Sequence, residues 1–144
     1  MSEQGQALVR RFFDEVCNGR NLGLADQLFA PDHVYHDPSD PWVGKGPAGM
    51  KDLIGFYQRN VGDARWVVHA THDAGDVMVT RWSGQGVHNA ELMGVVATNK
   101  RVSVDGIWMH RVAGGKIAES WNVWDTLGLL QQIGAVPATA APKK

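Results

Sequence analysis

The sequence predicts an α+β domain with helices packed on one face of a curved, antiparallel sheet and a pocket between the two layers. Three observations carry this. Apolar residues recur with helical period up to Val61. Beyond Arg65 the chain turns to long runs rich in Val, Trp and Thr, broken by glycine-centred turns. The length, 144 residues without an internal repeat or linker, suits one domain, expected over 1–137 with a flexible tail over 138–144.

Each element has its own signal. Leu8, Val9, Phe12, Phe13 and Val16 form the stripe of a first helix that opens near Ser2 and stops at Asn18-Gly19. Asn21 is placed to cap a shorter second helix, with Leu24, Ala25, Leu28 and Phe29 apolar, ending at Pro31. Val34-Tyr35-His36 reads as a short strand, and the prolines and glycines from Asp37 to Gly46 as an ordered loop. Pro47 suits the first turn of a third helix whose apolar face is Met50, Leu53, Ile54, Tyr57 and Val61, closed by Gly62. Arg65 to Asp73 and Val77 to His88 flank a turn at Ala74-Gly75-Asp76; Lys100 to Val112 and Lys116 to Trp124 flank Gly114-Gly115. Asp125 is placed to cap a last helical turn through Leu127, Leu129, Leu130 and Ile133, stopped by Gly134 and Pro137.

Composition narrows function. Lys and Arg number 14 against 15 Asp and Glu, a net charge of −1, which lacks the electrostatic footprint of a nucleic-acid binder. Cys17 stands alone, so neither an internal disulfide nor a thiolate metal cage is available. The start has no basic-then-apolar leader pattern, and no apolar run approaches a membrane span; the expectation is a soluble, cytoplasmic protein without a membrane partner. Tryptophan is over-represented, with six among twelve aromatic residues.

Two segments carry candidate chemistry. Tyr35-His36-Asp37-Pro38 puts an imidazole beside a carboxylate at a strand end, a pairing that can supply a general base. The alternative is an Asx turn at Asp37 with His36 packed in the strand. On Lys100 to Val112, alternation places Val102, Val104, Gly106, Trp108, His110 and Val112 on one face. Trp108 could wall a pocket and His110 could exchange protons in it, or both could be core residues. Register decides their neighbours. A two-residue Gly114-Gly115 turn sets Trp108 opposite Trp121 and His110 opposite Glu119, whereas a three-residue turn sets Trp108 opposite Ser120. In the second case Ser120, Asn122 and Trp124 join Trp108 inside, leaving Glu119 and Trp121 outside.

Arg81, in mid-strand, must find a partner or reach water; an ion pair such as Asp105 or Glu119 is expected first and a substrate anion second. His88 opens a segment, residues 88–94, that could cover the pocket mouth or lie solvated. His33 with His36, and His69 with His72, are three apart, which on a strand sends each pair to opposite faces; no metal site is expected. Cys17, at a helix C-terminus, is not placed for nucleophilic work.

Taken together, these pieces resemble the SnoaL-like polyketide cyclase (ester cyclase) group of the nuclear-transport-factor-two-like superfamily. The resemblance runs from Leu8 to Gly134 through Leu28-Phe29-Ala30-Pro31-Asp32, His36-Asp37-Pro38, Gly44-Lys45-Gly46, Gly75-Asp76 and Arg81-Trp82. It continues through His88-Asn89-Ala90-Glu91-Leu92-Met93-Gly94, Arg111, residues 115–121, Asp125 and Gln132-Ile133-Gly134. It implies a cone of curved antiparallel sheet closed by three helices around a central pocket, no cofactor, and a homodimer through the outer sheet face. The implied activity is general acid/base proton abstraction on a hydrophobic carbonyl compound, with aldol-type cyclisation. The alternatives are an isomerase, dehydratase or hydrolase on the same fold, or a non-catalytic binder of hydrophobic ligands. The inward acid of the family's last strand falls at Asn122 here, which cannot titrate, and a second polar pocket position falls at Trp108. The related ketosteroid isomerases keep a base where Asp37 stands, but their oxyanion-hole Tyr and Asp correspond to Phe12 and Trp108. The expected catalytic set is therefore His36, Asp37, His110 and Asn122. The expected substrate contacts are Phe12, Tyr57, Arg81, His88, Trp108, Ser120 and Trp124.

Overall fold

A computed structural model describes residues 2–138; the tail expected over 138–144 lies, but for its first residue, outside them. The elements are α1 (Ser2–Arg11), a π-helical continuation (Phe12–Asn18), a 3₁₀ turn (Leu22–Leu24), α2 (Ala25–Leu28), β1 (Phe29–His36), α3 (Gly46–Asn60), β2 (Gly62–Ala74), β3 (Val77–Val87), β4 (Arg101–Ala113), β5 (Lys116–Trp124) and α4 (Thr126–Gln132). This is an α+β fold on a curved five-stranded sheet.

The strands lie in the order β1-β5-β4-β3-β2. All neighbours are antiparallel except β1 and β5, so the sheet is mixed where a wholly antiparallel one is expected. The chain route explains this. After α3 the chain enters the sheet at its far edge, and the β2 to β5 meander walks back until β5 arrives running the same way as β1. β1 also begins at Phe29 rather than Val34, and its pairing is broken between those two residues, across Pro31. Proline has no N–H for a ladder, and an edge strand is where that is tolerated. The second helix shrinks accordingly to one turn of 3₁₀ and one of α, and Asn21, at the cap position, makes no side-chain cap bond. Asp125 does cap α4, accepting from the Gly128 N–H at 2.8 Å.

The β4–β5 hairpin settles the pocket. Gly114 and Gly115 have φ of 59° and 76°, the two left-handed positions of a tight two-residue turn, and Ala113 pairs with Lys116. Past Val112 opposite Ile117 the pairing shifts, and Arg111 faces Glu119. Ala118 is thus an extra residue, a β-bulge. Neither simple register holds: Trp108 faces Asn122, His110 faces Ser120, and Gly106 faces Trp124. The bulge restores to the inner face the set that the longer turn would have placed there.

The helices close that face. Phe12, Phe13, Val16 and Cys17 of the π-helical segment are fully buried, as are Leu28, Phe29 and Met50, with Leu53 and Ile54 nearly so. Gly106 leaves room where bulk is needed. A Cβ there would stand 2.7 Å from Trp82 Nε1 and 2.9 Å from Trp124 Cβ, so the row Trp82, Gly106, Trp124 across three strands requires it.

Gly49 does the same for the loop between β1 and α3, since a Cβ on it would lie 1.9 Å from the Gly44 carbonyl oxygen. Backbone cannot give way there. Gly49→Ala is expected to cost about 1–3 kcal/mol through this overpacking, read as a lowered urea midpoint at unchanged slope.

Candidate functional site

Between the inner sheet face, α3, the loop 88–100 and α4 lies a cavity of about 630 Å³ of empty space, counted out to its open mouth. Its walls include six aromatic residues, Trp66, Trp82, Trp108 and Trp124 with Tyr35 and Tyr57, alongside aliphatic ones such as Leu53, Ile54, Leu92 and Val102. Trp108 is the pivot, 5.6 Å from Trp82 and 5.8 Å from Tyr35 by ring centroid, backed edge-on by Phe12 at 5.1 Å.

One wall is polar and acidic. Trp82 Nε1 donates to Asn122 Oδ1 (3.1 Å), Asn122 Nδ2 donates to Tyr35 Oη (3.1 Å), and Tyr35 Oη donates to Asp37 Oδ2 (2.6 Å). The Ser39 N–H donates to Asp37 Oδ1 at 2.8 Å, the Asx turn read from the sequence. Beside this chain, Asp40 accepts from Tyr57 Oη at 2.9 and 3.0 Å and from Trp42 Nε1 at 3.1 Å. Asp40 is 4% exposed and lines the cavity. Burial, then the nearby Asp37 charge, push its carboxyl up to about 6. Burial and the same two carboxylates also raise the Tyr57 phenol, which stays protonated. The structure thus sets an ionisable carboxyl with a pKa near neutrality against an apolar cavity, an arrangement suited to accepting and returning a proton.

Of the residues expected at the site, Tyr57, Trp108, Asn122 and Trp124 line the cavity. Asp37 stands one hydrogen bond behind it. The rest are elsewhere. His36 is on the outer sheet face, stacked on Trp121 (5.5 Å, 18°) and bonded to Glu119 Oε2 at 2.7 Å, because alternation along β1 turns it away from Tyr35. Arg81 is exposed on that same outer face, opposite Ala70 and Ile107 and away from the cavity, and neither expected partner pairs with it: Asp105 accepts from Ser83 Oγ, and Glu119 meets His36 and Arg111. His110, Phe12 and Ser120 are fully buried behind Trp108. His88 is buried as a brace: its Nδ1 meets Thr98 Oγ1 at 2.8 Å and its Nε2 meets the Val95 carbonyl at 3.2 Å, holding the loop that seats Leu92 against the cavity. Asp40 is the functional residue the sequence reading misses. Its signal, the repeated Asp-Pro of Asp37-Pro38-Ser39-Asp40-Pro41, marks a sharply turned loop without saying which carboxylate faces inward.

Comparison with known proteins bears on this site. Residues 7–133 match the sequence profile of the family described as SnoaL-like polyketide cyclase. The chain is similar to TsrD of Streptomyces laurentii, with 28% identity and a TM-score of 0.82 over 93% of this chain and 97% of that one. It is similar to IdmH of Streptomyces antibioticus, a candidate polyketide cyclase, with 27% identity and a TM-score of 0.78 over 90% and 97%. A protein of Catenulispora acidiphila with a ketosteroid isomerase-like fold, 18% identical with a TM-score of 0.73 over 94% and 97%, shares the fold. No curated protein matches the sequence.

Behind the cavity, His33 and His110 are fully buried, His33 Nε2 meeting Ser120 Oγ at 2.8 Å and His110 stacked on Trp108 at 5.4 Å. Neither ring nitrogen of His110 has a hydrogen-bond partner among the described residues. Burial lowers His33 to about 4 and His110 to about 3 from an ordinary 6.5. The unfolded chain therefore binds more protons than the native one once the pH falls below about 6.5, and stability drains down to the native values. Thermal unfolding followed from pH 7 to pH 4 is expected to show this loss, and His110→Leu to flatten it.

Proposed function

The chain belongs to the SnoaL-like polyketide cyclase family, and from that premise we propose that it acts on a hydrophobic, carbonyl-bearing small molecule by proton transfer at Asp40. The carrying observation is the position of that carboxyl: buried, on the cavity wall, gripped by Tyr57 and Trp42, and shifted upward by its burial and then by Asp37. Ionised Asp40 takes a proton from the carbon beside a substrate carbonyl. The C–H electron pair becomes an enolate, which attacks a second carbonyl of the same molecule to form a C–C bond. The proton then passes from Asp40 to the new alkoxide, so the net reaction is an internal aldol addition. Asn122 holds Tyr35 and, through it, Asp37; it positions the acidic wall and transfers no proton. The aromatic rings exclude water and favour a flat, apolar substrate.

The outer sheet face supports the expected pairing of two copies. Ile107, Met109 and Val123 are 44%, 36% and 64% exposed there, beside Trp121, and a second copy would bury them.

Asp40→Asn is expected to lower turnover of a cyclisable diketone by about 10²–10⁴-fold with its circular dichroism unchanged; full activity would defeat the proposal. Because the base must be ionised, kcat/KM is expected to fall below about pH 6, and Asp37→Asn, by removing a neighbouring negative charge, to move that limb to lower pH. For the outer face, sedimentation is expected to give a dimer that Met109→Glu with Val123→Glu converts to monomer.

A further inference from the structure

The acidic wall lacks something its chemistry calls for. Asp37 and Asp40 are both buried, and burial together with the neighbouring Asp37 charge raises the cost of ionising Asp40, yet no Lys or Arg among the described residues pairs with either. Arg65 borders the cavity, but it is exposed, on the outward set between buried Ala64 and Trp66. Buried carboxylates are ordinarily matched by a cation. Here the other groups around Asp40 are aromatic. Tyr57 touches it directly, Trp124 lies 6.1 Å from Tyr57 by ring centroid, and Tyr35, Trp108 and Trp82 continue the wall. A cavity lined by several Trp and Tyr rings together with a carboxylate suits an alkylammonium group, attracted by the ring quadrupoles and neutralised by the acid.

We propose that the ligand of this cavity carries an organic cation, a tertiary or quaternary ammonium group, seated between Asp40 and the surrounding Trp and Tyr rings. The inference rests on the reading of this wall as the working site, and it adds the charge of the substrate to that reading. A cation seated there holds Asp40 ionised, the state in which it accepts a proton, and supplies the counter-charge that the fold omits. The apolar remainder of the cavity takes the hydrophobic body of the same molecule.

The test uses two probes of one shape, phenyltrimethylammonium and its neutral isostere tert-butylbenzene, titrated against the intact protein by quenching of its tryptophan fluorescence. Four of the six tryptophans line the cavity, so occupancy is reported directly. The cation is expected to bind at least about tenfold more tightly than the isostere at pH 7.5, and Asp40→Asn to reduce that preference to about threefold or less. A pH series on the wild type reads the same interaction without a variant. The cation's affinity is expected to fall towards pH 5 as Asp40, which faces Asp37, Tyr57 and Trp42, takes a proton, while the isostere's stays constant. Equal affinities, no binding of either probe, or a preference that survives both Asp40→Asn and low pH would overturn the proposal. Loss of turnover in Asp40→Asn without a cation preference leaves proton transfer standing and removes the cation. A cation preference with turnover intact in that variant does the reverse.

Discussion

One extra residue governs this molecule's interior. The Ala118 bulge follows a tight glycine turn and shifts β5 by one place against β4, and strand side chains alternate with a period of two. Without that shift Glu119 and Trp121 would be the inward set and Ser120, Asn122 and Trp124 the outward one. The bulge therefore decides that an amide meets Trp82 and Tyr35, and that a carboxylate meets His36 and Arg111 in the open. The cavity, its polar chain and the character of the outer face all descend from it.

What the bulge arranges, burial then sharpens. A carboxyl in water is ionised well below neutrality, but Asp40 faces an apolar cavity and a second carboxylate, and both act in the same direction. Its hydrogen-bond donors, Tyr57 and Trp42, oppose the shift without cancelling it, and they keep the group pointed at the cavity. The same burial acting on bases, at His33 and His110, pushes the other way and keeps both imidazoles neutral. Two kinds of titratable group, separated by the Trp108 ring, are thereby held in opposite regimes.

Much of this is legible in the sequence, and the illegible part has a physical cause. Helical stripes and glycine turns reveal the layers because their periods are local. Alternation along β4 correctly assigns Trp108 and His110 to one face, but cannot tell cavity wall from core, since that depends on how far the helices stand off the sheet. His36 and Asp37 look like a pair in sequence, yet adjacent strand residues point to opposite sides, and only Asp37 turns inward. The register across Gly114-Gly115 is undecidable without the bulge, and nothing in Lys116-Ile117-Ala118-Glu119 announces one. Asp40 is hidden for another reason: loop residues have no period, so their direction follows from packing against α3, which Gly49 permits.

That loop has a consequence for how such a protein can change. The cavity's shape is set by strands and helices whose residues are locked by pairing, whereas both acidic groups sit on the short connection between β1 and α3. Shape and reactivity are thus inherited on separate stretches of chain. Exchanging a handful of residues there would rewrite the chemistry offered to a ligand while leaving the aromatic chamber that selects it intact.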